Sequence, residues 1–217
     1  MKTEYKISEA VKATGGKLLS KSKKEHSFSE LLLDSRRLIH PAQTLFFALG
    51  GLKLDGHNYI DELYKKGVRC FVVTKEVNTD DYPDAAFILV KDAVTALQKL
   101  AGYHRAKFTL PTIAVTGSNG KTIVKEWLYQ LLHEDYNIVR NPKSYNSQIG
   151  VPLSLWLIDS ENNLGIFEAG ISEPNEMQKL EKIIAPSIGV FTNIGEAHSE
   201  GFLNIRHKTK EKLTLFV

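Results

Sequence analysis

A single cysteine, Cys70, in 217 residues excludes an internal disulfide framework and any cysteine-based metal cluster. It lies in the apolar run C-F-V-V, where a small buried hydrophobe is expected rather than a nucleophile. Seven prolines and 15 glycines are too few for a collagen-like or low-complexity chain. Long hydrophobic runs are absent as well. Stretches such as residues 85–90 fall far short of a bilayer crossing, and M-K-T-E-Y-K-I-S-E-A offers no apolar core for a signal peptide. The expectation is a soluble, cytoplasmic protein. Nor does one sign of charge dominate: 28 basic against 25 acidic residues leave a net +3, too little to argue for nucleic-acid or membrane binding. The basic stretches 21–24 and 206–212 read as solvated faces.

What remains is an ordinary globular composition, 42% hydrophobic and 24% charged, enough apolar surface for a core. The length suits one large domain or two ordinary ones. Short β-rich runs fall at 45–49, 70–73, 87–90, 113–116, 165–168 and 189–192. Helical patterns lie between them. Ile60, Leu63 and Tyr64 share a face, with Gly67 as a plausible C-cap. Ala93, Leu97, Leu100 and Ala101 repeat at helical spacing, as do Ile123, Val124, Trp127, Leu128, Leu131 and Leu132. The alternation predicts an α/β fold with mostly parallel pairing in the second half. A proline after a long helix, in K-F-T-L-P at 107–111, divides the chain into residues 1–108 and 110–217. The last residues, T-L-F-V, stop inside an amphipathic pattern without a cap, which reads as a chain cut within its second domain.

The most informative stretch is I-A-V-T-G-S-N-G-K-T, residues 113 to 122. An apolar strand enters a glycine-bearing turn and then a helix beginning near Lys121, an arrangement that binds phosphate through backbone N–H groups and the helix N-terminus. Gly117, Ser118, Asn119 and Gly120 would form the cradle. Lys121 would reach the β/γ-phosphates and the Thr122 hydroxyl would ligate Mg²⁺. The strict pattern asks for glycine where Val115 stands, so this is a variant loop. Glu168 closes the run L-G-I-F-E, which places a carboxylate at a strand end beside the loop, a natural partner for nucleotide-bound Mg²⁺. His198, in N-I-G-E-A-H, leaves its strand on the same side and is a candidate for a second metal or for orienting a phosphoryl group. His26, His40, His104, His133 and His207 read as structural or solvated.

Together T-G-S-N-G-K-T, F-E-A-G and T-N-I-G-E-A-H-S-E-G-F resemble the central ATPase domain of the Mur ligase family, whose members extend the UDP-linked precursor of peptidoglycan. The first half agrees: D-S-R-R-L at 34–38, followed by L-F-F-A-L-G-G-L-K-L-D-G-H-N-Y-I, resembles a UDP-binding domain of that family. The resemblance implies an N-terminal α/β UDP-binding domain and an incomplete phosphate-loop domain with a mostly parallel sheet. It assigns Ser35 and Arg36 to the uridine diphosphate. Lys125-Glu126 and the segment S-Y-N-S-Q-I-G-V-P-L-S-L at 144–155 are similar to members that add D-alanyl-D-alanine, with Asn146 facing substrate and γ-phosphate. The wording also comes close to proteins that fuse such a ligase to an alanine racemase.

The chemistry so implied is ATP- and Mg²⁺-dependent amide formation. The carboxylate of UDP-N-acetylmuramoyl-tripeptide takes the γ-phosphoryl group, and the amine of D-alanyl-D-alanine displaces phosphate from the acyl phosphate. Catalysis would be positioning and charge neutralisation. Lys121 would act on the phosphates, Thr122, Glu168 and His198 would hold metal, and Lys212 would act as a carbamate, with Lys210 close enough to compete for that role. The family's adenine contacts and amine site belong to a longer central domain and a C-terminal domain in cis, so the chain as given is expected to bind ligands without ligating them. Three alternatives stay open: a tripeptide-forming member of the family, a plain phosphate-loop ATPase or kinase, and a non-catalytic module binding UDP-sugar and nucleotide.

Overall fold

The computed structural model describes residues 3–22, 24–51, 55–195 and 201–216. The chain divides into two compact units, Met1–Leu100 and Ala101–Val217.

The first unit begins with β1 (Tyr5–Lys6), α1 (Ile7–Thr14), β2 (Lys17–Ser20), β3 (Ser27–Phe28) and β4 (Glu30–Leu32). It continues through β5 (Thr44–Phe47), α2 (Ile60–Lys65), β6 (Cys70–Val73), β7 (Ala86–Leu89) and most of α3 (Ala93–Arg105). A five-stranded sheet runs β2-β7-β6-β5-β4, parallel except for the β2–β7 pair. The central runs T-L-F-F and C-F-V-V are buried at every position, as strands covered on both faces must be. Phe71 stacks on Phe87 with centroids 4.9 Å apart, and Phe46 meets Phe71 edge-on at 6.3 Å. Such pairs add about 0.5–1.5 kcal/mol each beyond area burial. Cys70 is buried here, and burial pushes its thiol pKa up to about 12. It is a core residue, as its apolar run implies.

The second unit holds β8 (Thr112–Thr116), α4 (Lys121–Leu132), β9 (Ile138–Arg140), α5 (Gly150–Leu155) and β10 (Leu164–Glu168). After these come α6 (Glu176–Ile184), β11 (Ile188–Phe191) and α7 (Ile205–Leu213). Its four-stranded sheet is wholly parallel in the order β11-β8-β10-β9. The chain adds strands on one side of β8, then returns to its other side with β11. The C-terminal end of β8 is therefore the topological switch point, where ligands bind in open α/β sheets.

The division falls inside α3, ahead of the proline at 111. The last turn of that helix is anchored in the second unit, which accounts for the difference. His104 Nε2 lies 2.9 Å from Ile158 O, while Arg105 donates to Ile184 O at 3.1 Å and to Thr112 Oγ1 at 2.8 Å. The apolar positions of α4 also separate into two faces. Val124, Leu128 and Leu132 pack on the sheet, whereas Ile123, Trp127 and Leu131 are exposed. Helical spacing alone did not distinguish them. Among the described residues no helix is long and apolar enough to cross a membrane.

Candidate phosphate and substrate sites

Between β8 and α4 the backbone makes a turn that only glycine permits at its first position. Gly117 has φ +145°, and a Cβ there would lie 1.9 Å from Thr192 Oγ1. Gly120, the residue before α4, is left-handed at φ +79°. Val115 stands where the strict loop pattern has glycine because β8 continues through it, buried and paired with Glu168 and Val190. The loop is braced by the segment after β11. Ser118 N donates to Asn193 O at 2.9 Å, Asn119 N to Asn193 Oδ1 at 3.1 Å, and Ser118 Oγ to Gly195 O at 3.1 Å. Asn193 was not singled out by sequence; its only local signal is its place at a strand end.

The Lys121 ammonium folds over the loop, donating to Gly117 O at 3.0 Å and Ser118 O at 3.3 Å. Thr122 Oγ1 donates to Glu168 Oε2 at 2.8 Å. Glu168 is 0% exposed, and its other oxygen, Oε1, has no hydrogen-bond partner. A buried carboxylate oxygen without a proton donor is costly, and a hydroxyl plus a carboxylate beside a phosphate loop is the donor set Mg²⁺ takes. The residues present fit that ion. Asn141, also fully buried, accepts from Glu168 N at 2.6 Å and donates to Tyr145 O at 2.6 Å. Lys125 lies beside this pair, 3.7 Å from Glu168 Oε1.

The stretch 206–212 is not a solvated face throughout. Lys208 and Lys212 are buried, one helical turn apart on α7, while Lys210 between them is exposed. Lys212 Nζ donates to Gly117 O at 3.2 Å and Lys208 Nζ to Gly195 O at 2.7 Å. Desolvation, then the neighbouring Lys121 and Lys208 charges, push the Lys212 pKa down to about 8. Lys121 is lowered by desolvation and by Lys208, against the pull of Glu168. Burial lowers Lys208 as well. Lys208 was missed because a lysine in a basic run carries no local sign of burial. Gly117, Ser118, Lys121, Asn146, Gly170 and Lys212 line one cleft of about 270 Å³. The structure thus gathers every sequence-selected residue of this half except His198, which lies outside the described residues, and Lys210, which faces solvent.

In the first unit Ser35 and Arg36 sit in a short 3₁₀ turn capped by Asp34, which accepts from Arg36 N at 3.1 Å. Ser35 is buried. The Arg36 side chain is 86% exposed and forms a two-point pair with Asp34, with Nε to Oδ1 and Nη2 to Oδ2 both at 2.8 Å. That pair holds the Asp34 carboxyl down to about 2. Both residues border a cleft of about 460 Å³ with Leu49, Gly50, Gly56 and Tyr59. Next to Gly56 in the chain, His57 Nδ1 lies 2.6 Å from Asp55 Oδ1 while Thr74 N donates to Nε2 at 3.1 Å.

A parallel open sheet, a glycine turn at its switch point and a Thr–Glu pair beside the lysine that folds over it are the features of a phosphate-loop domain of the α/β class. The family is then given by comparison. The profile described as "Mur ligase middle domain" matches residues 115–217, and that described as "Mur ligase family, catalytic domain" matches residues 30–105. The chain belongs to the Mur ligase family. It is 35% identical over 188 residues to the UDP-N-acetylmuramoyl-tripeptide–D-alanyl-D-alanine ligase of Borreliella burgdorferi, a match covering 83% of this chain and 40% of the relative. The Bacillus subtilis protein of the same name is 31% identical over 199 residues, covering 92% of this chain and 42% of the relative. Among solved structures, MurF from Acinetobacter baumannii superposes with a TM-score of 0.89 at 26% identity, over 98% of this chain and 46% of that one. MurF ligase from Thermotoga maritima in complex with ADP gives 0.77 at 30% identity, over 86% and 42%. The chain spans about two fifths of the length of the curated relatives it matches. These relatives carry ligase names alone, and the racemase fusion stays an expectation of the sequence.

Proposed function

We propose that this chain is the UDP-precursor- and nucleotide-binding part of an ATP-dependent amide ligase that adds D-alanyl-D-alanine to UDP-N-acetylmuramoyl-tripeptide, in cytoplasmic peptidoglycan precursor synthesis. The observation that carries the reading is the buried Glu168 carboxylate beside the phosphate loop, held by Thr122 through one oxygen, while the other accepts no hydrogen bond and has the Lys125 ammonium 3.7 Å away. Bound Mg²⁺ would neutralise phosphate charge there, held by Thr122 and Glu168, with His198 as a further ligand by resemblance.

The chain's own residues supply the rest. Lys121 and the N-terminus of α4 hold the phosphates, and Asn146 faces the acceptor side of the same cleft. The substrate carboxylate forms a bond to the γ-phosphorus as the bridging oxygen leaves with ADP. The amine nitrogen then bonds to the acyl carbon, phosphate departs, and the nitrogen loses its proton. Two anions must meet in the first step, and the Lys121 ammonium folded over the loop opposes their repulsion. A lysine held near 8 is neutral often enough at physiological pH to add to carbon dioxide, which supports Lys212 over Lys210 as the carbamate. The adenine contacts and the amine site are assigned to the part of the relatives beyond the matched stretch.

Calorimetry on this chain tests the reading. ADP with Mg²⁺, and separately UDP-N-acetylmuramoyl-tripeptide, should each bind, and Lys121→Ala should weaken the first roughly 10–100-fold without weakening the second. Nucleotide affinity unchanged by Lys121→Ala would refute the phosphate-site assignment. Uptake of the UDP-dipeptide in preference to the tripeptide would favour the tripeptide-forming activity instead.

A further inference from the structure

Lys125 has no task in that scheme, yet its side chain is 0% exposed. A buried ammonium is costly unless acceptors converge on it. Here they come from three elements. Nζ donates to Asn141 O at 2.8 Å and to Lys143 O, just past β9. It lies 3.2 Å from Glu126 Oε1 on its own helix and 3.7 Å from Glu168 Oε1 at the end of β10. The residues after Asn141 form a turn in which Lys143 is left-handed at φ +51°, a conformation that costs a non-glycine residue energy unless its surroundings hold it. That turn ends at Asn146, whose carbonyl accepts from Gly170 N at 2.8 Å and which lines the phosphate cleft. Lys125 therefore stands where the helix of the phosphate loop, the turn carrying Asn146 and the Glu168 carboxylate meet.

We propose that Lys125 is a positioning residue: its buried ammonium ties the 141–146 turn and the Glu168 carboxylate to α4, so that the phosphate side and the acceptor side of the cleft are held in one register. It touches neither nucleotide nor substrate. An apolar side chain of similar length would leave two carbonyls without a donor, release the turn, and leave Glu168 aligned by Thr122 and Asn141 alone. A residue that merely stabilises the unit would, when replaced, weaken it evenly. A positioning residue fails locally. The nucleotide arm of the test rests on the function proposed above, and the exchange arm does not.

The test is amide hydrogen exchange together with ADP titration, with and without Mg²⁺, on this chain and on Lys125→Met. The variant should melt cooperatively. Amides of residues 145–151 should exchange at least about tenfold faster while those of β8 and β10 keep their protection. ADP affinity in Mg²⁺ should fall about 10–100-fold, as it does when a residue orienting a metal ligand is lost, with affinity in chelator nearly unchanged. Faster exchange spread evenly over the unit, or an unaltered Mg²⁺ dependence, overturns the proposal. If the methionine variant does not fold, Lys125→Gln keeps a donating amide NH₂ on a shorter side chain and is read the same way: local opening of 145–151 supports the role, even destabilisation overturns it. Should the parent chain bind no ADP, the nucleotide-site reading fails, and exchange at 145–151 still decides Lys125.

Discussion

The two clefts are built on opposite electrostatic plans. In the first unit the charged groups lie in water: Arg36 is 86% exposed and its pairing with Asp34 is local in sequence. In the second, Lys125, Glu168, Lys208 and Lys212 are all buried, and their partners include groups 13 to 95 positions away along the chain. Exposed pairs are screened and easily exchanged for a ligand's own charges, which suits recognition of a soluble nucleotide-sugar. Buried charges are held by fixed neighbours, with basicity lowered at Lys208 and Lys212, and act with little screening on charge arriving in the cleft. On the function proposed above, one site recognises and the other neutralises.

Substitutions should break this contrast unequally. The largest effect is expected at Gly117, where any side chain meets Thr192 Oγ1 and adopts an unfavourable φ. Gly117→Ala should abolish ADP binding and cost about 2 kcal/mol or more of stability, measurable by calorimetry and chemical denaturation. Retained binding would mean the loop conformation is not the one that holds phosphate. Next, Lys121→Ala removes a charge-assisted contact worth about 1.5–3 kcal/mol, so nucleotide affinity should drop roughly 10–100-fold while the UDP-precursor binds as before.

Acid should sharpen the comparison further. Burial lowers the His104 pKa to about 4, below its unfolded value of about 6.5. Between these values the unfolded chain binds the extra proton, so stability is complete above about pH 6.5 and is lost as pH falls toward 4. From pH 7.5 to 5 the loss is about 2 kcal/mol. Denaturation of the parent and of His104→Gln at both pH values checks it, and an equal acid loss in the two proteins would exonerate this histidine. The smallest effect belongs to the exposed site. Arg36→Ala should weaken UDP-precursor binding by a factor of about five or less. A much greater loss would show that Arg36 leaves Asp34 for a desolvated place against the diphosphate.

Elements with one strong local cause were legible from the start. The runs at 70–73, 113–116 and 165–168 are apolar and β-rich, and they form β6, β8 and β10 within a residue at either end. The glycine turn before Lys121 is equally local. Short strands such as β1 and β3, two residues each, were not legible, since they exist only by pairing with each other. Helices α6 and α7 escaped notice in part because polar residues fill their outer faces, and in α7 two lysines point inward.

By itself, then, the sequence determined the class of fold, the phosphate loop, the carboxylate closing β10 and the exclusion of disulfide or cysteine-metal chemistry. Each depends on neighbours a few residues apart, where backbone preference and hydrophobic period act. Which lysines are buried was decided only by tertiary structure. Lys212 reaches a carbonyl 95 positions away, Lys208 is buried against Gly195 while Lys210 faces water, and Lys125 gathers oxygens from the end of β9 and the end of β10. A charge can be buried only where distant segments bring acceptors to it, and nothing in the local pattern records where those segments will lie.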